Sequence, residues 1–578
     1  MVFKASAFKL LLSFVHISLA KSLLDRQDND TAPSITLDKG TFVGTSEGDV
    51  SIFRGIPYAQ PPVGNLRFRP PLLNEPYSGT TYNATSSGVA CIQQVVNITD
   101  TSDLAPAAAA ILNNPLSGPI VAMPDDEDCL TLDVYTPANT IEDSKLPVVF
   151  WVYGGGFQTG STSANNGTAL VATSLQQDQP LIYVSVNYRL SALGFPGGAE
   201  VREAGIGNLG LQDQRMGLRW VQKYISAFGG DPSKVTIWGE SAGSTSVCMQ
   251  MLAYNGNSEG LFRGAFMQSG GPMTRGLGTV EQGQGYFDKF AADAGCADFL
   301  GSIAVFECLR NVSVANIRSA IATSQNLWQY PGLSLAWQPW ADGTFLTENA
   351  PQLVLDGFVA DVPFVNGDDD DEGTIFGLVN SNITNEGELR QYLQEYYFPN
   401  ADASTLDGVL AAYSDDPALG SPFDTGSNNT ITPEFKRIAA IIGDYLFQGP
   451  RRLLLTKRAG SANAYSFLNK RGKQTPVLGT FHGADLTIYA PGDLMDALIN
   501  FVNRLDPNGA SLIEWPVYTA DAPALLTLLD GNTTQSITND TFRMDGIQTL
   551  LQATIAGTTV NSAPAHAAKR GGKARVEL

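Results

Sequence analysis

From about residue 35 the chain alternates short, almost wholly apolar runs with Gly-rich turns and stretches of helical period. The runs at 148–153 (VVFWVY), 181–188 (LIYVSVNY), 235–238 (VTIW), 264–268 (GAFMQ) and 362–366 (VPFVN) are β-branched and aromatic. Strands that are apolar at every position, rather than at alternate ones, are buried on both faces, as in a parallel sheet. Helical segments, for example 208–224, lie between them. This alternation predicts an α/β fold, an open and mostly parallel central sheet with helices on both faces. No internal repeat and no long Pro/Gly/Ser linker divides the body, so 35–555 reads as one large domain.

The ends follow other rules. Residues 1–20 (MVFKASAFKLLLSFVHISLA) join a Lys-bearing start to an apolar run too short to span a bilayer. Small residues follow at Ser18 and Ala20, the pattern of a secretory signal peptide. Residues 21–34 then form an N-terminal segment, and 556–578 a flexible basic tail. No later stretch is apolar for long enough to anchor the chain in a membrane. Nine N-x-S/T sequons fit secretion: Asn29, Asn83, Asn97, Asn166, Asn311, Asn382, Asn428, Asn532 and Asn539. Five cysteines allow at most two intramolecular bridges. Spacing suggests Cys91–Cys129 and Cys296–Cys308, leaving Cys248 over.

Composition narrows the chemistry. Over 578 residues, 36 Lys and Arg stand against 57 Asp and Glu, a net charge of −21, which disfavours a nucleic-acid partner. Only three histidines occur: His16 in the leader, His566 in the tail and His482 in the body. A His-rich metal site is excluded, and any imidazole chemistry of the body runs through His482.

Three segments match G-x-S-x-G, a pattern that is weak alone. The segment 44–48 (GTSEG) precedes a strand pattern without a helix, and 256–260 (GNSEG) lies in a polar loop, so both read as turns. The segment 239–243 (GESAG) follows the apolar run 234–238 and opens a helical pattern at 244–252. That is the strand–turn–helix of a nucleophile elbow, with Ser241 as the nucleophile. The glycines at 154–156 follow a strand, where backbone N–H groups can face a cavity. Gly155, Gly156 and Ala242 are the expected oxyanion donors. The loop lacks the Lys and the spacing of a phosphate-binding loop.

His482 is the general base by elimination. The orienting carboxylate falls between serine and histidine in chain order, in the run 368–372 (DDDDE) after a strand. Five adjacent carboxylates are expected to face water for the most part, with one reaching the imidazole, and composition does not say which. A calcium loop starting at Asp368 would close on Val379 where a bidentate Glu is required.

Taken together, 53–59 (FRGIPYA), 127–137 (EDCLTLDVYTP), 228–231 (FGGD), GESAG, 371–373 (DEG) and Phe481-His482 resemble the type-B carboxylesterase/lipase family. Fungal lipases and the cholinesterases belong to it, and the likeness covers about 35–555. The resemblance implies an α/β-hydrolase fold and Glu372 as the triad acid. It implies a lid-like loop over 91–129 closed by Cys91–Cys129, and buried ion pairs Arg54–Glu127 and Arg189–Asp213. Between residues 92 and 128 there is no Trp, Tyr or Phe, so the aromatic cation site of cholinesterases is missing. The apolar run 107–112 (AAAAIL) suits a lid that meets lipid.

The expected protein is a secreted serine ester hydrolase with no metal or cofactor. Its partner is a small-molecule or lipid ester, with contact to a lipid interface through the lid. The alternatives are an esterase or lactonase acting on a secondary metabolite, and a non-catalytic adhesion protein on the same fold.

Overall fold

The computed structural model describes residues 32–94, 101–113, 123–272, 278–489 and 491–558. The leader, Asn29, Asn97 and the end of the tail lie outside these residues.

The apolar runs build a 12-stranded sheet. From one edge its order is Thr45–Glu47, Val50–Pro57, Thr131–Pro137, Ile182–Val186, Leu146–Val152, Gly230–Glu240, Gly264–Gln268, Phe364–Asp369, Phe467–Asn469, Ala524–Leu528 and Gln535–Asn539. Ala464–Tyr465 also pairs with Phe364–Asp369. From Ile182–Val186 to Ala524–Leu528 all neighbours are parallel, whereas the flanking pairs are antiparallel. Each residue of Ile182–Val186 is buried, as is each of Gly264–Gln268, while the edge strand Gln535–Asn539 is half-buried to exposed. Central strands are therefore buried at every position, because helices cover both faces. Helix Leu209–Tyr224 supplies one such cover, burying Leu211, Leu218, Trp220 and Val221.

The chain leaves Leu146–Val152 for Ile182–Val186 on one side, then crosses back to Gly230–Glu240 on the other. The connections after the two middle strands diverge and open a crevice at their carboxyl ends, where open α/β sheets bind ligands. The glycine loop and the GESAG turn both sit there.

Cys91–Cys129 and Cys296–Cys308 are bonded, and Cys248 is free and buried. Inside the first loop, Pro106–Leu112 forms a short helix with Pro at its first turn. Ala108 and Leu112 pack against Leu378, Val379, Phe435 and Leu478.

Two expectations need correction. Glu127 pairs with Arg67, not Arg54. Arg67 sends Nε and Nη2 to the carboxylate at 2.5 and 2.7 Å and gives Nη1 to the carbonyls of Leu309 and Val312. Each nitrogen of that buried guanidinium thus donates to an inner acceptor. Arg54 is half-buried on Val50–Pro57, its Nε donating to the Tyr135 hydroxyl at 3.3 Å. Arg189 does hold Asp213, through Nε at 2.8 Å and Nη2 at 2.7 Å.

The second correction concerns the acidic run. Asp368, Asp369, Asp370, Asp371 and Glu372 are all at most 3% exposed. All of them find polar partners. Arg451 Nε donates to Asp368, Asn469 Nδ2 to Asp369, and Lys473 Nζ to both Asp370 and Asp371. Cations and amides drawn from 451–473 make the burial tolerable, a supply that the local composition does not reveal.

The same network holds Asp540, the residue that follows strand Gln535–Asn539. Asp540 accepts from Arg451 at 2.9 Å through each of its oxygens and from Arg452 at 2.8 Å. Although burial raises its pKa, the two guanidinium groups pull it down to about 2. Asp540→Asn leaves buried positive charge uncompensated and is expected to cost about 3–5 kcal/mol. A depressed carboxyl contributes above its ordinary 3.8 and loses that contribution as pH falls toward 2. In urea unfolding the gap between wild type and variant is therefore constant from pH 5 to 8 and narrows below pH 4.

Candidate active site

The strand Gly230–Glu240 turns at Ser241 into helix Ala242–Gly256. Ser241 takes φ 56° and ψ −125°, a strained conformation for a residue with a Cβ. The flanking glycines are dictated by contact. A Cβ on Gly243 would lie 2.0 Å from the Val152 carbonyl oxygen, and one on Gly239 2.4 Å from the Gly243 carbonyl carbon. With both neighbours reduced to backbone, the turn packs directly on Leu146–Val152 and its serine projects into the crevice.

Ser241 Oγ lies 2.8 Å from His482 Nε2, and His482 Nδ1 lies 2.6 Å from Glu372 Oε2. Three segments separated by more than a hundred residues each thus form one line. Their loops are tied as well, since the Asp371 N–H donates to the Thr480 carbonyl at 2.9 Å. Glu372 Oε1 accepts the Asp369 N–H at 2.8 Å. Burial pushes the Glu372 carboxyl up, against the neighbouring Ser269 hydroxyl, the Asp369 N–H and Arg451, which favour its charged form. Burial lowers the His482 imidazole below its ordinary 6.5, against the pull of Glu240, Asp485 and Asp368. A neutral ring carrying its proton on Nδ1 presents the Nε2 lone pair to the serine.

Gly155 and Gly156 have φ of 96° and 63°, and a Cβ on Gly155 would meet the Thr159 carbonyl at 2.4 Å. Among the described residues no acceptor takes the N–H of Gly155, Gly156 or Ala242. Of the other two serine motifs, 256–260 is a turn as expected, with positive φ at Gly256, Glu259 and Gly260. The segment 44–48 is not: Ser46 lies in the edge strand Thr45–Glu47, paired with Ser51, and the chain turns only at Gly48, φ 58°.

Sequence reasoning missed several neighbours of the imidazole. Glu240 Oε1 stands 3.4 Å from His482 Nε2. Burial, then the carboxylates of Asp485 and Glu372, push Glu240 up to about 7 while the imidazole opposes them. Its place inside GESAG could have flagged it. Phe376 and Phe447 flank the ring at centroid distances of 5.0 and 4.8 Å. Phe447 sits in a π-helical turn, Asp444–Gln448, set between two α-helices. Such an insertion re-aims a side chain and leaves no signature in hydrophobic period. Among the described residues no three His, Cys, Asp or Glu side chains are grouped to hold a metal ion.

This geometry has close counterparts. Residues 31–544 match the model of the carboxylesterase family. The chain belongs to that family. It is 41% identical to Lipase 4 of Diutina rugosa over 536 residues, covering 90% of this chain and 96% of that one. It is 40% identical to the secreted triacylglycerol lipase LIP1 of Gibberella zeae, covering 89% of each. Among solved structures, Aspergillus niger EstA superposes with a TM-score of 0.76 at 26% identity, covering 91% of this chain and 99% of that one. The fold is that of the α/β-hydrolases, and this carboxylesterase-family member is a carboxylic ester hydrolase of the type-B kind. No helix among the described residues is long and apolar enough to cross a membrane.

Proposed function

We propose that Ser241, His482 and Glu372 are the catalytic triad of a secreted lipase acting on long-chain acyl esters. The observation that carries the proposal is the unbroken line of 2.8 and 2.6 Å contacts from Ser241 Oγ to Glu372. Nε2 removes the hydroxyl proton as Oγ attacks the ester carbonyl, and Glu372 stabilises the imidazolium that forms. The N–H groups of Gly155, Gly156 and Ala242 receive the oxyanion, each worth about 3 kcal/mol of barrier. The imidazolium then protonates the leaving alcohol. Water, activated by the same Nε2, releases the acid from the acyl-enzyme.

Preference for a long acyl chain is supported by the walls. Leu327 and Leu335 stand over Gly156, at 3.0 and 4.0 Å from where its Cβ would be. A row of rings, Trp328, Phe376 and Phe447, continues from there to the imidazole. Helix Pro106–Leu112 packs its apolar residues beside Leu478 and Phe481, next to His482. We read it as part of a lid whose apolar side meets lipid when displaced. Nitrophenyl esters from acetate to palmitate, assayed below and above their solubility limits, test the proposal. Rising kcat/KM with chain length and a rate increase once an emulsion forms are expected; acetate preference without that increase overturns the lipase reading.

Secretion is supported by the leader and by relatives named as secreted lipases. Asn83, Asn166, Asn311, Asn382, Asn428, Asn532 and Asn539 are all exposed, open to the glycans proposed for them. Endoglycosidase treatment of the secreted protein is expected to lower its mass; an unchanged mass contradicts glycosylation.

A further inference from the structure

Beneath the three site residues lies a second, wholly buried chain of hydrogen bonds. Gln268, the last residue of Gly264–Gln268, is at its centre and is 0% exposed. Its backbone carbonyl accepts the Ser241 N–H at 2.9 Å. Its side-chain Oε1 accepts the Trp238 indole N–H at 2.7 Å, and its Nε2 donates to Asp485 Oδ2 at 2.8 Å. The Asp485 N–H in turn points to Asp369 Oδ2 at 3.4 Å. Trp238 lies three residues before Ser241, Asp369 three before Glu372, and Asp485 three after His482. Three of the four inner residues therefore sit one short step along the backbone from a member of the outer chain, and the fourth, Gln268, is joined to Ser241 through its carbonyl.

We propose that Trp238, Gln268, Asp485 and Asp369 form a positioning frame, in which the Gln268 amide sets the separation of Ser241 and His482. The inference rests on the triad reading given above. Its chemistry requires an amide at the centre. Indole is a donor only and the Asp485 carboxylate is an acceptor, so the residue between them must accept on one side and donate on the other. An ionised glutamate has the same shape but only accepts, setting one carboxylate against another in the core, and a protonated one restores a donor only at the cost of taking up a proton. The His482 loop would then be pushed from the nucleophile strand. Displacements of about 1 Å at a reacting pair cost on the order of a hundredfold in rate.

The test exchanges donor and acceptor. Gln268→Glu is expected to lower kcat by about ten- to a hundredfold with KM within twofold, since the frame touches no substrate. Adding Asp485→Asn restores a complementary pair, because the introduced amide now donates to the introduced carboxylate. The double variant is expected to recover at least fivefold of the lost kcat, a coupling that independent sites do not show. Rates are expressed per site titrated by a phosphonate ester that reacts with the nucleophile, so a partly unfolded preparation does not mimic the effect. Unchanged kcat per titrated site in Gln268→Glu, or a double variant no better than the single, overturns the frame. Failure of the phosphonate to label Ser241 in the wild-type protein would instead overturn the triad reading.

Discussion

Ser241→Ala is expected to lower kcat by roughly a million-fold while the protein stays folded and still binds substrate. In the proposed mechanism the hydroxyl is the group that bonds to the acyl carbon. Without it His482 has no hydroxyl proton to take and no acyl-enzyme forms. Ser241 is already strained at φ 56°, and alanine keeps a Cβ in the same place, so thermal stability should change little. What survives is the contribution of binding and the N–H donors to attack by water, about 10³–10⁴ over the uncatalysed rate. Steady-state kinetics on a soluble nitrophenyl ester checks this, with near wild-type turnover as the contrary result.

Glu372→Gln is the next largest expected loss, about 10⁴-fold in kcat with little change in KM. The amide fits the same buried space. It cannot compensate the imidazolium, however, and its NH₂ group can turn toward Nδ1 and stabilise the wrong tautomer. The wild-type pH profile follows from the same pair. The active form is the neutral imidazole, whose pKa burial holds below 6.5, so activity persists to that pH and falls only as pH drops through the lower value. An acid limb with its midpoint above 6.5 would mean that the carboxylates around the ring outweigh its burial.

Much of this was legible in the sequence because it is local. Apolar runs gave the central strands, and glycine spacing around Ser241 and at 154–156 marked the backbone that must approach closely. The histidine count left a single base. The resemblance to a family, not the residues alone, pointed to Glu372 within DDDDE. What sequence reasoning misjudged depends on distant partners. Full burial of five carboxylates needs Arg451, Asn469 and Lys473, brought in from about a hundred residues away. Glu127 chose Arg67 because the carbonyls of Leu309 and Val312 complete that guanidinium's bonds, which no motif records. Phe447 reaches His482 through a π-turn, and Gln268 reaches Asp485 across two loops. Contacts of this kind are properties of the packed crevice.

The claim at the centre, that Ser241 alone forms the acyl-enzyme, is tested most directly by covalent trapping. The protein, treated with an alkyl phosphonate ester and mapped by peptide mass spectrometry, should carry one adduct per chain, on Ser241. Loss of activity should track its formation one for one, and Ser241→Ala should carry none. Inactivation with Ser241 unmodified, or an adduct on Ser46 or Ser258 of the other two G-x-S-x-G segments, would contradict the mechanism.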